Sequence, residues 1–286
     1  MNATYEQLKS RIAEMDGVLV AFSGGVDSSL VLAAAVDALD PRALAVTACS
    51  PSYPVREREQ AVSMAKFLGA RHLFIQTRED ENPAYRSNPP DRCYYCKREL
   101  FTVLSEILQR EGLKKILDGF NADDRADIRP GHTAGCELNV RSPLDELGIT
   151  KADVRSLARG RGLPNWDQAA CACLASRIPY GEEITAPRLA RIGAAEEAIL
   201  GMGFGTVRVR DHGRLARVEL AARDLIRAMS ADVRSRVIEA CKRQGYAYVC
   251  LDMEGYRTGS MNEVLESPQS GESDQKSASY LSLETA

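Results

Sequence analysis

The chain has 286 residues, of which 44% are hydrophobic and 27% charged, with a formal net charge of −3 at pH 7. This length allows one large domain or two modest ones, and the composition is that of an ordinary globular protein. The small net charge gives no basic field for nucleic acid, and no apolar run approaches the roughly 20 residues of a membrane span. Because the first twenty residues carry Glu6, Glu14 and Asp16, we expect no signal peptide and a cytoplasmic protein without nucleic-acid or membrane partners.

Strands and helices alternate along the first half of the chain. Apolar strands are predicted at 17–21, 43–49, 72–76 and 115–119, and helices at 5–15, 28–39, 54–68, 93–110 and 150–161. Such alternation is typical of βαβ units, so we expect an α/β fold with a parallel sheet and helices on both faces. A long polar loop is expected at 78–92 and an acidic loop at 121–131.

The composition changes after a second long loop, 164–183. The elements predicted beyond it are helices at 185–200, 224–229 and 231–244 and strands at 206–210, 215–220 and 246–251, the first two strands pairing around an Asp-His-Gly turn. We therefore predict three parts, namely an α/β domain over 1–168, a smaller cysteine-bearing α+β domain over 169–265, and a disordered tail over 266–286 that is too polar to pack.

The segment from Ser23 to Ser29 lies between the first strand and the first long helix after it. Gly24 and Gly25 allow a tight bend that brings backbone N–H groups close to an anion. Ser28 and Ser29 stand at the helix start, where hydroxyls, N–H groups and the helix dipole face the same anion. The segment lacks a Walker lysine, and it is not a GxGxxG turn. The alternative is an ordinary Gly/Ser turn.

Four segments carry a family resemblance. Ser23-Gly-Gly-Val-Asp-Ser28 resembles the SGGxDS PP-loop of the N-type ATP pyrophosphatases, which cut ATP between the α and β phosphates. Three more segments follow in the family's order: Asp118–Asp124 with Arg129–Gly131, Cys173–Gly181 and Gly255–Glu263. Together they resemble LarE, the ATP-dependent sacrificial sulfur transferase family, over residues from about 5 to 263.

This resemblance implies a role in making the nickel-pincer nucleotide cofactor of lactate racemase-type enzymes. The implied small-molecule substrate is pyridinium-3,5-biscarboxylic acid mononucleotide. ATP, with Mg²⁺, adenylates a ring carboxylate, pyrophosphate leaves, and a cysteine sulfur displaces AMP. In single-cysteine members the Cβ–S bond of that thioester breaks and leaves dehydroalanine, whereas in other members three cysteines hold a 4Fe–4S cluster that delivers sulfur. The resemblance also implies a homo-oligomer, a hexamer.

The ATP site is expected at the PP-loop. The residues predicted to contact pyrophosphate are Ser23, Gly24, Gly25, Asp27, Ser28 and Ser29. Asp27 cannot attract phosphate directly, so we expect it to orient loop N–H groups or to hold Mg²⁺. Asp123 and Asp124 are candidates for the same metal or for the nucleotide pocket, and an Asx-type turn with solvated carboxylates is equally consistent with them.

Cys173 heads the CLASRIPYG match and is the predicted sulfur donor, since a thiolate is the reactive form of cysteine. Arg177, four residues on, could favour that thiolate or bind a phosphate. Cys171 forms a CxC pair with Cys173, and Cys250 is our first candidate for a third ligand of a 4Fe–4S cluster. A buried core cysteine explains Cys250 at least as well, so both sulfur sources stay open.

Cys93 and Cys96 have the spacing of half a zinc site or of a redox pair, but a second CxxC is absent. We interpret them as pocket wall or helix start. Arg208 and Arg210 alternate on a predicted strand and therefore share one face, which suits a phosphate or carboxylate. The matching family segment suggests the substrate phosphate, with Arg257 as a further anion-site candidate, while solvated surface arginines are the alternative.

Two rival functions remain at this point. A tRNA thiolase also joins a PP-loop to cysteines, although the net charge of −3 argues mildly against RNA binding. A non-catalytic adenine-nucleotide sensor or iron–sulfur carrier belongs to a different class. Pyrophosphate release that depends on the biscarboxylate substrate would separate an enzyme from a sensor.

Overall fold

The computed structural model describes residues 3–126, 130–168, 172–257, 259–261 and 263. The strands are β1 (Val18–Ala21), β2 (Ala43–Cys49), β3 (Arg71–Gln76), β4 (Lys115–Leu117), β5 (Val207–His212), β6 (Leu215–Leu220) and β7 (Tyr248–Leu251). The helices are α1 (Tyr5–Ala13), α2 (Val26–Leu39), α3 (Val55–Phe67), α4 (Pro83–Arg86), α5 (Arg92–Arg110), α6 (Pro130–Glu137), α7 (Pro143–Glu146), α8 (Lys151–Gly160), α9 (Ala186–Leu200), α10 (Leu225–Met229) and α11 (Ala231–Arg243).

The first sheet is parallel, with strand order β3-β2-β1-β4. Alternate residues of β1 enter different cores, because successive side chains of a strand point to opposite faces. Val18 and Val20 pack with α1, α2 and α8, whereas Leu19 packs with Phe101 and Leu104 of α5. The sheet is therefore covered by helices on both faces, which confirms the predicted α/β fold class.

The second sheet has strand order β5-β6-β7. β5 and β6 form the predicted antiparallel hairpin, whose turn contains Gly213 at a φ of +66°, and β7 runs parallel to β6. The apolar face of this sheet, with Val207, Val209 and Val218, packs against α9 and α11 around a core of its own. The small α+β arrangement expected in the second half is thus present as a separate sheet region.

Two predictions of irregular structure were wrong in part. The polar stretch 78–92 contains the 3-10 helix Glu79–Glu81 and α4, and the acidic loop ends where α6 begins at Pro130. Proline is well tolerated in the first turn of a helix, where its missing N–H would have no helical partner.

Chain contacts group residues 1–256 into one compact unit and residues from 257 onwards into a second. The predicted domain boundary at residue 168 stays a prediction, and the predicted tail 266–286 lies outside the described residues. No helix in the described part of the chain combines the length and the apolar character that crossing a bilayer requires.

Candidate active site

The PP-loop forms a tight turn between β1 and α2, at the carboxyl edge of the parallel sheet. Gly24 has a φ of +76°, and a Cβ there would lie 2.9 Å from the Cα of Ala61 on α3. Gly25 is the N-cap of α2, and its carbonyl accepts the first helical bond from Ser29 N at 2.9 Å. The turn therefore requires glycine at position 24. It also directs the N-terminus of α2 towards the carboxyl edge of the sheet, which is where ligands bind in such folds.

The three serines of the turn have different surroundings. Ser23 is exposed, and its hydroxyl lies 3.1 Å from that of Ser28, which is buried. The Ser29 hydroxyl is buried and accepts a hydrogen bond of 3.0 Å from Nδ2 of Asn165, which also donates to the Gly24 carbonyl at 2.9 Å. Ser29 thus supports the turn from inside, and Ser23 is the hydroxyl most open to a ligand.

Asp27, in the first turn of α2, is held by two distant residues. Asn121 Nδ2 donates to its Oδ1 at 3.2 Å, and Lys151 Nζ forms an ion pair with its Oδ2. The backbone N–H of Lys151 also donates to Asp123 Oδ2 at 2.9 Å. The structure therefore brings Asp27 and Asp123 to the same edge, with a lysine between them.

The Asp124 carboxylate bonds to the backbone of the turn in which it lies. Its Oδ2 accepts from Asn121 N at 3.1 Å, and Asn121 Oδ1 accepts from Asp123 N at the same distance. This is the Asx-type turn that the sequence allowed. Gly119, just before it, approaches α2 so closely that a Cβ there would lie 2.9 Å from Ser28 N. The segment after β4 is therefore packed directly against the PP-loop.

The loop that bears Cys173 is attached to the end of β2. Leu174 N donates to the Ser52 carbonyl at 2.8 Å, and Tyr53 Oη donates to the Ser23 carbonyl at 2.9 Å. Two adjacent residues thus contact the cysteine loop and the PP-loop. Cys173 itself is exposed, whereas Leu174 is buried in a core with Tyr85 and Ile178. The two predicted centres of chemistry share one edge of the molecule.

Three groups lie within electrostatic reach of Cys173. Burial raises the pKa of Tyr85, and Cys173 adds to this effect. Burial alone would lower the pKa of Arg92, but the thiolate forms of Cys173 and Cys93 outweigh it and raise the pKa of this arginine. Burial raises the pKa of Cys96, to which Cys173 contributes less. Cys96 is therefore within electrostatic reach of Cys173, and the role of the CxxC segment as a pocket wall stays a prediction.

Arg177 lies behind the cysteine loop, because its side chain is only 1% exposed. Its Nε and Nη2 donate to Glu196 at 2.8 and 3.0 Å, and its Nη1 donates to the carbonyls of Ala172 and Cys173 at 2.8 and 3.0 Å. The burial of Arg177 gives no support to the predicted role in phosphate binding.

Arg208 and Arg210 share a face of β5, but only one of them offers an accessible cation. Arg210 is buried, pairs with Glu219 at 2.7 Å and donates to the Ser176 carbonyl at 2.9 Å. Arg208 is half-buried, and its guanidinium carbon lies 5.0 Å from the centre of the Tyr256 ring. Arg208 is the better candidate for an anion.

Three predicted ligands remain, namely Cys250, Arg257 and Cys171. Cys250 lies on β7, which β6 separates from β5, and its charged neighbours are Arg217 and Asp252. Burial raises the pKa of this thiol. Arg257 belongs to the second unit, where it pairs with Glu263 at 3.2 Å. Cys171 lies outside the described residues.

Sequence reasoning missed four residues of this region: Glu79, Arg92, Lys151 and Asn165. Glu79 is buried and accepts from the Ser52 hydroxyl at 2.8 Å. Arg92 and Lys151 each adjoin a motif that was noticed, the first before Cys93 and the second after the Thr150 N-cap of α8. Their positions next to those motifs were the available signal, but their partners are distant in the chain.

Sequence comparison shows which known proteins this chain resembles. A family profile described as asparagine synthase matches residues 2–123, which contain the parallel sheet and the PP-loop. The chain is 37% identical over 263 residues to the pyridinium-3,5-bisthiocarboxylic acid mononucleotide synthase of Lactiplantibacillus plantarum, covering 92% of this chain and 95% of that protein. It is 42% identical over 265 residues to an uncharacterized protein of Synechocystis, covering 93% and 99% respectively. It is also 26% identical over 168 residues to the argininosuccinate synthase of Methanothermobacter thermautotrophicus, covering 54% and 42%.

Proposed function

Because the chain belongs to the LarE family, to which the synthase of Lactiplantibacillus plantarum belongs, we propose that it is an ATP-dependent sulfur transferase of nickel-pincer nucleotide synthesis, acting in the cytoplasm. Its substrate is pyridinium-3,5-biscarboxylic acid mononucleotide, and its product carries a thiocarboxylate. The supporting observation is the pair of contacts from Ser52 and Tyr53, which attach an exposed cysteine loop and the PP-loop to the same strand end.

The first proposed step is adenylation of a ring carboxylate, with release of pyrophosphate. A carboxylate oxygen is a poor leaving group, and its transfer to the α-phosphate of ATP makes it a good one. The PP-loop backbone and Ser23 bind and orient the leaving pyrophosphate, and Lys151 stabilises its charge.

Asp27 and Asp123 fit Mg²⁺, which prefers carboxylate oxygens and completes its coordination with phosphates and water. When bound, Mg²⁺ neutralises charge on the phosphates. Lys151 contacts both acidic residues, through its side chain and its backbone N–H respectively. Binding of the metal at Asp27 would free the ammonium group of Lys151 for the phosphates.

The second proposed step is attack by the Cys173 thiolate on the activated acyl carbon, with departure of AMP and formation of a thioester. Arg92 is a buried positive charge within electrostatic reach of this nucleophile. Arg208 binds the phosphate of the substrate mononucleotide from β5. The Cβ–S bond of Cys173 then breaks, which leaves the sulfur on the product and dehydroalanine on the protein.

The alternative sulfur source is a 4Fe–4S cluster held by Cys171, Cys173 and Cys250, which needs three thiolates around one point. Cys250 has Arg217 and Asp252 as charged neighbours rather than Cys173. The proposal therefore runs through the Cys173 thiol itself.

The proposed enzyme is a homo-oligomer, a hexamer by family resemblance. Support comes from apolar side chains on the second sheet region, where Ile226, Met229 and Met253 are exposed around a groove of about 650 Å³. Light scattering of the protein and of an Ile226→Glu, Met229→Glu variant tests this assignment. A monomeric unmodified protein would contradict it.

Quenched turnover with ATP and the biscarboxylate tests the proposed function. We expect substrate-dependent pyrophosphate and AMP, a thiocarboxylate product, and a protein mass reduced by that of H₂S. Cys173→Ser should retain pyrophosphate release and lose the thiolated product, whereas the control Cys136→Ser, at another exposed cysteine, should retain both. Thiolated product from Cys173→Ser would show that Cys173 is not the sulfur donor. Absence of substrate-dependent pyrophosphate release in the unmodified protein would refute the proposed function.

A further inference from the structure

The carbonyl oxygen of Cys173 accepts hydrogen bonds from three donors. Ser176 N lies 3.1 Å away, Ser176 Oγ 2.8 Å, and Arg177 Nη1 3.0 Å. The serine bonds are common where a short helix starts, because serine often bonds back to a preceding carbonyl. A guanidinium on the same oxygen is not explained by local turn geometry, and it adds a charged donor, itself paired with Glu196, to the set.

These donors are held in place from behind. Glu196 fixes the Arg177 guanidinium through both of its oxygens, and Glu196 Oε1 also accepts from Val209 N on β5 at 2.9 Å. The Ser176 hydroxyl accepts from Arg177 Nη1 at 2.8 Å, and the Ser176 carbonyl accepts from Arg210. The arrangement is therefore preorganised, with its charged members buried and Cys173 itself exposed.

Cleavage of the Cβ–S bond in the proposed reaction is a β-elimination. Removal of the Cα proton of Cys173 puts negative charge on the carbonyl oxygen of the same residue, as an enolate. We propose that Arg177 and Ser176 form an oxyanion hole for the enolate of Cys173 and thereby drive the release of its sulfur. Fixed donors aimed at the atom where charge develops are among the largest sources of enzymatic rate enhancement.

The step balances without a change of redox state. The Cα proton passes to water, the electron pair of the Cα–H bond becomes the Cα–Cβ double bond, and the Cβ–S electron pair leaves with sulfur as the thiocarboxylate anion. This inference rests on the proposed function in its sacrificial form. In this proposal Arg177 and Ser176 are catalytic because they contact the carbonyl of the reacting Cys173, and neither needs to contact the nucleotide.

One test follows each step of a single turnover by mass spectrometry. Ser176→Ala removes one donor from a half-buried position and Arg177→Lys changes the cation. We expect pyrophosphate release and thioester formation to proceed as in the unmodified protein. We expect dehydroalanine formation to slow about 10-fold in Ser176→Ala and about 100-fold in Arg177→Lys, so that the thioester adduct accumulates. Dehydroalanine formation at the unmodified rate in folded Ser176→Ala and Arg177→Lys would overturn the proposal.

A second test needs neither ATP nor a variant. A bis-alkylating dibromo diamide converts exposed cysteines into sulfonium groups, which eliminate to dehydroalanine in mild base. Cys93, an exposed cysteine on α5, is the internal reference. We expect elimination at Cys173 to be about 10-fold faster than at Cys93 in the same folded chain, and equal rates would overturn the proposal. Because this test is independent of substrate, failure of pyrophosphate release would refute the proposed function alone.

Discussion

Lys151 at the start of α8 and Asp27 in the first turn of α2 form an ion pair across 124 positions of the chain. The second oxygen of Asp27 accepts from Asn121 at 3.2 Å, so this carboxylate has a fixed orientation. The lysine thereby lies beside the turn that is proposed to bind pyrophosphate. In the proposed reaction its charge would serve both the Asp27 carboxylate and the phosphates of ATP.

Lys151→Met should lower kcat/KM for ATP by about 100-fold, because a cation facing the leaving pyrophosphate is removed. The free energy of unfolding should change by only about 1 kcal/mol or less, since the pair is partly exposed. The control is Lys9→Met, which removes a surface lysine paired with Glu6 on α1. Equal pyrophosphate release rates in the two variants would contradict a role for Lys151.

Gly119→Ala should damage the ATP site through the backbone. The added Cβ would lie 2.9 Å from Ser28 N and 3.1 Å from the Cβ of Asp27, so the segment after β4 must move away from the PP-loop. We expect a loss of about 1–3 kcal/mol in the free energy of unfolding, from urea titration, with weaker ATP binding by calorimetry.

Gly160→Ala is the matched control, because a Cβ at this helical position of α8 meets no atom within 4 Å. Alanine is the better helix former, so this variant should be as stable as the unmodified protein or up to about 1 kcal/mol more stable. Unchanged ATP affinity in Gly119→Ala would show that the close approach to the PP-loop is unimportant.

The sequence predicted the parallel sheet and the PP-loop because both depend on local pattern. The apolar run before Ser23 must be a strand, and Gly24 stands where a left-handed turn excludes other residues. The start of α6 at Pro130 was missed because the acidic loop was expected to extend to residue 131, although proline also suits a helix start.

Side-chain partners far apart in the chain were beyond such reasoning. Arg177 and Arg210 were expected to bind anions, but Glu196 and Glu219 neutralise them in the interior. The hydrophobic periodicity of a sequence does not indicate which carboxylate a given arginine pairs with after folding. The same limit explains why Lys151 was overlooked, although the helix that carries it was predicted.

Arg208 and Arg210 offer a matched pair of substitutions on one face of β5. Arg210→Ala should reduce the free energy of unfolding by about 3–5 kcal/mol, because it leaves the buried Glu219 carboxylate without its partner. Arg208→Ala should be nearly as stable as the unmodified protein, since this guanidinium is half-buried and stacked on Tyr256.

In substrate binding the order should reverse, and Arg208→Ala should be the more strongly affected variant. Arg208→Ala should raise KM for the mononucleotide about 10-fold or more, because a charge-assisted contact to phosphate is lost. Urea titration and initial rates of pyrophosphate release measure both quantities. An unchanged KM in Arg208→Ala would remove Arg208 from the substrate site.

Asp211 on β5 should give the second sheet region its acid sensitivity. Burial would raise the pKa of this carboxyl, but hydrogen bonds from Arg191 and Arg188 outweigh it and hold the pKa below the ordinary value of 3.8. Tyr246 Oη donates to the same carboxylate at 3.0 Å. Because the folded-state pKa is the lower one, this group stabilises the fold fully above pH 3.8 and loses that contribution as the pH falls through the folded-state pKa.

Asp211→Asn should therefore cost about 3 kcal/mol in the free energy of unfolding at neutral pH, where two arginines lose their shared carboxylate. The cost should shrink as the pH falls below 3.8, since the unmodified protein then loses the same charge. Asp232→Asn, at an exposed carboxylate of α11, is the control and should leave both the stability and its pH profile unchanged. Urea titrations of the three proteins across the acid range measure the free energy of unfolding. A constant difference between Asp211→Asn and the unmodified protein at every pH would contradict the acid sensitivity assigned to Asp211.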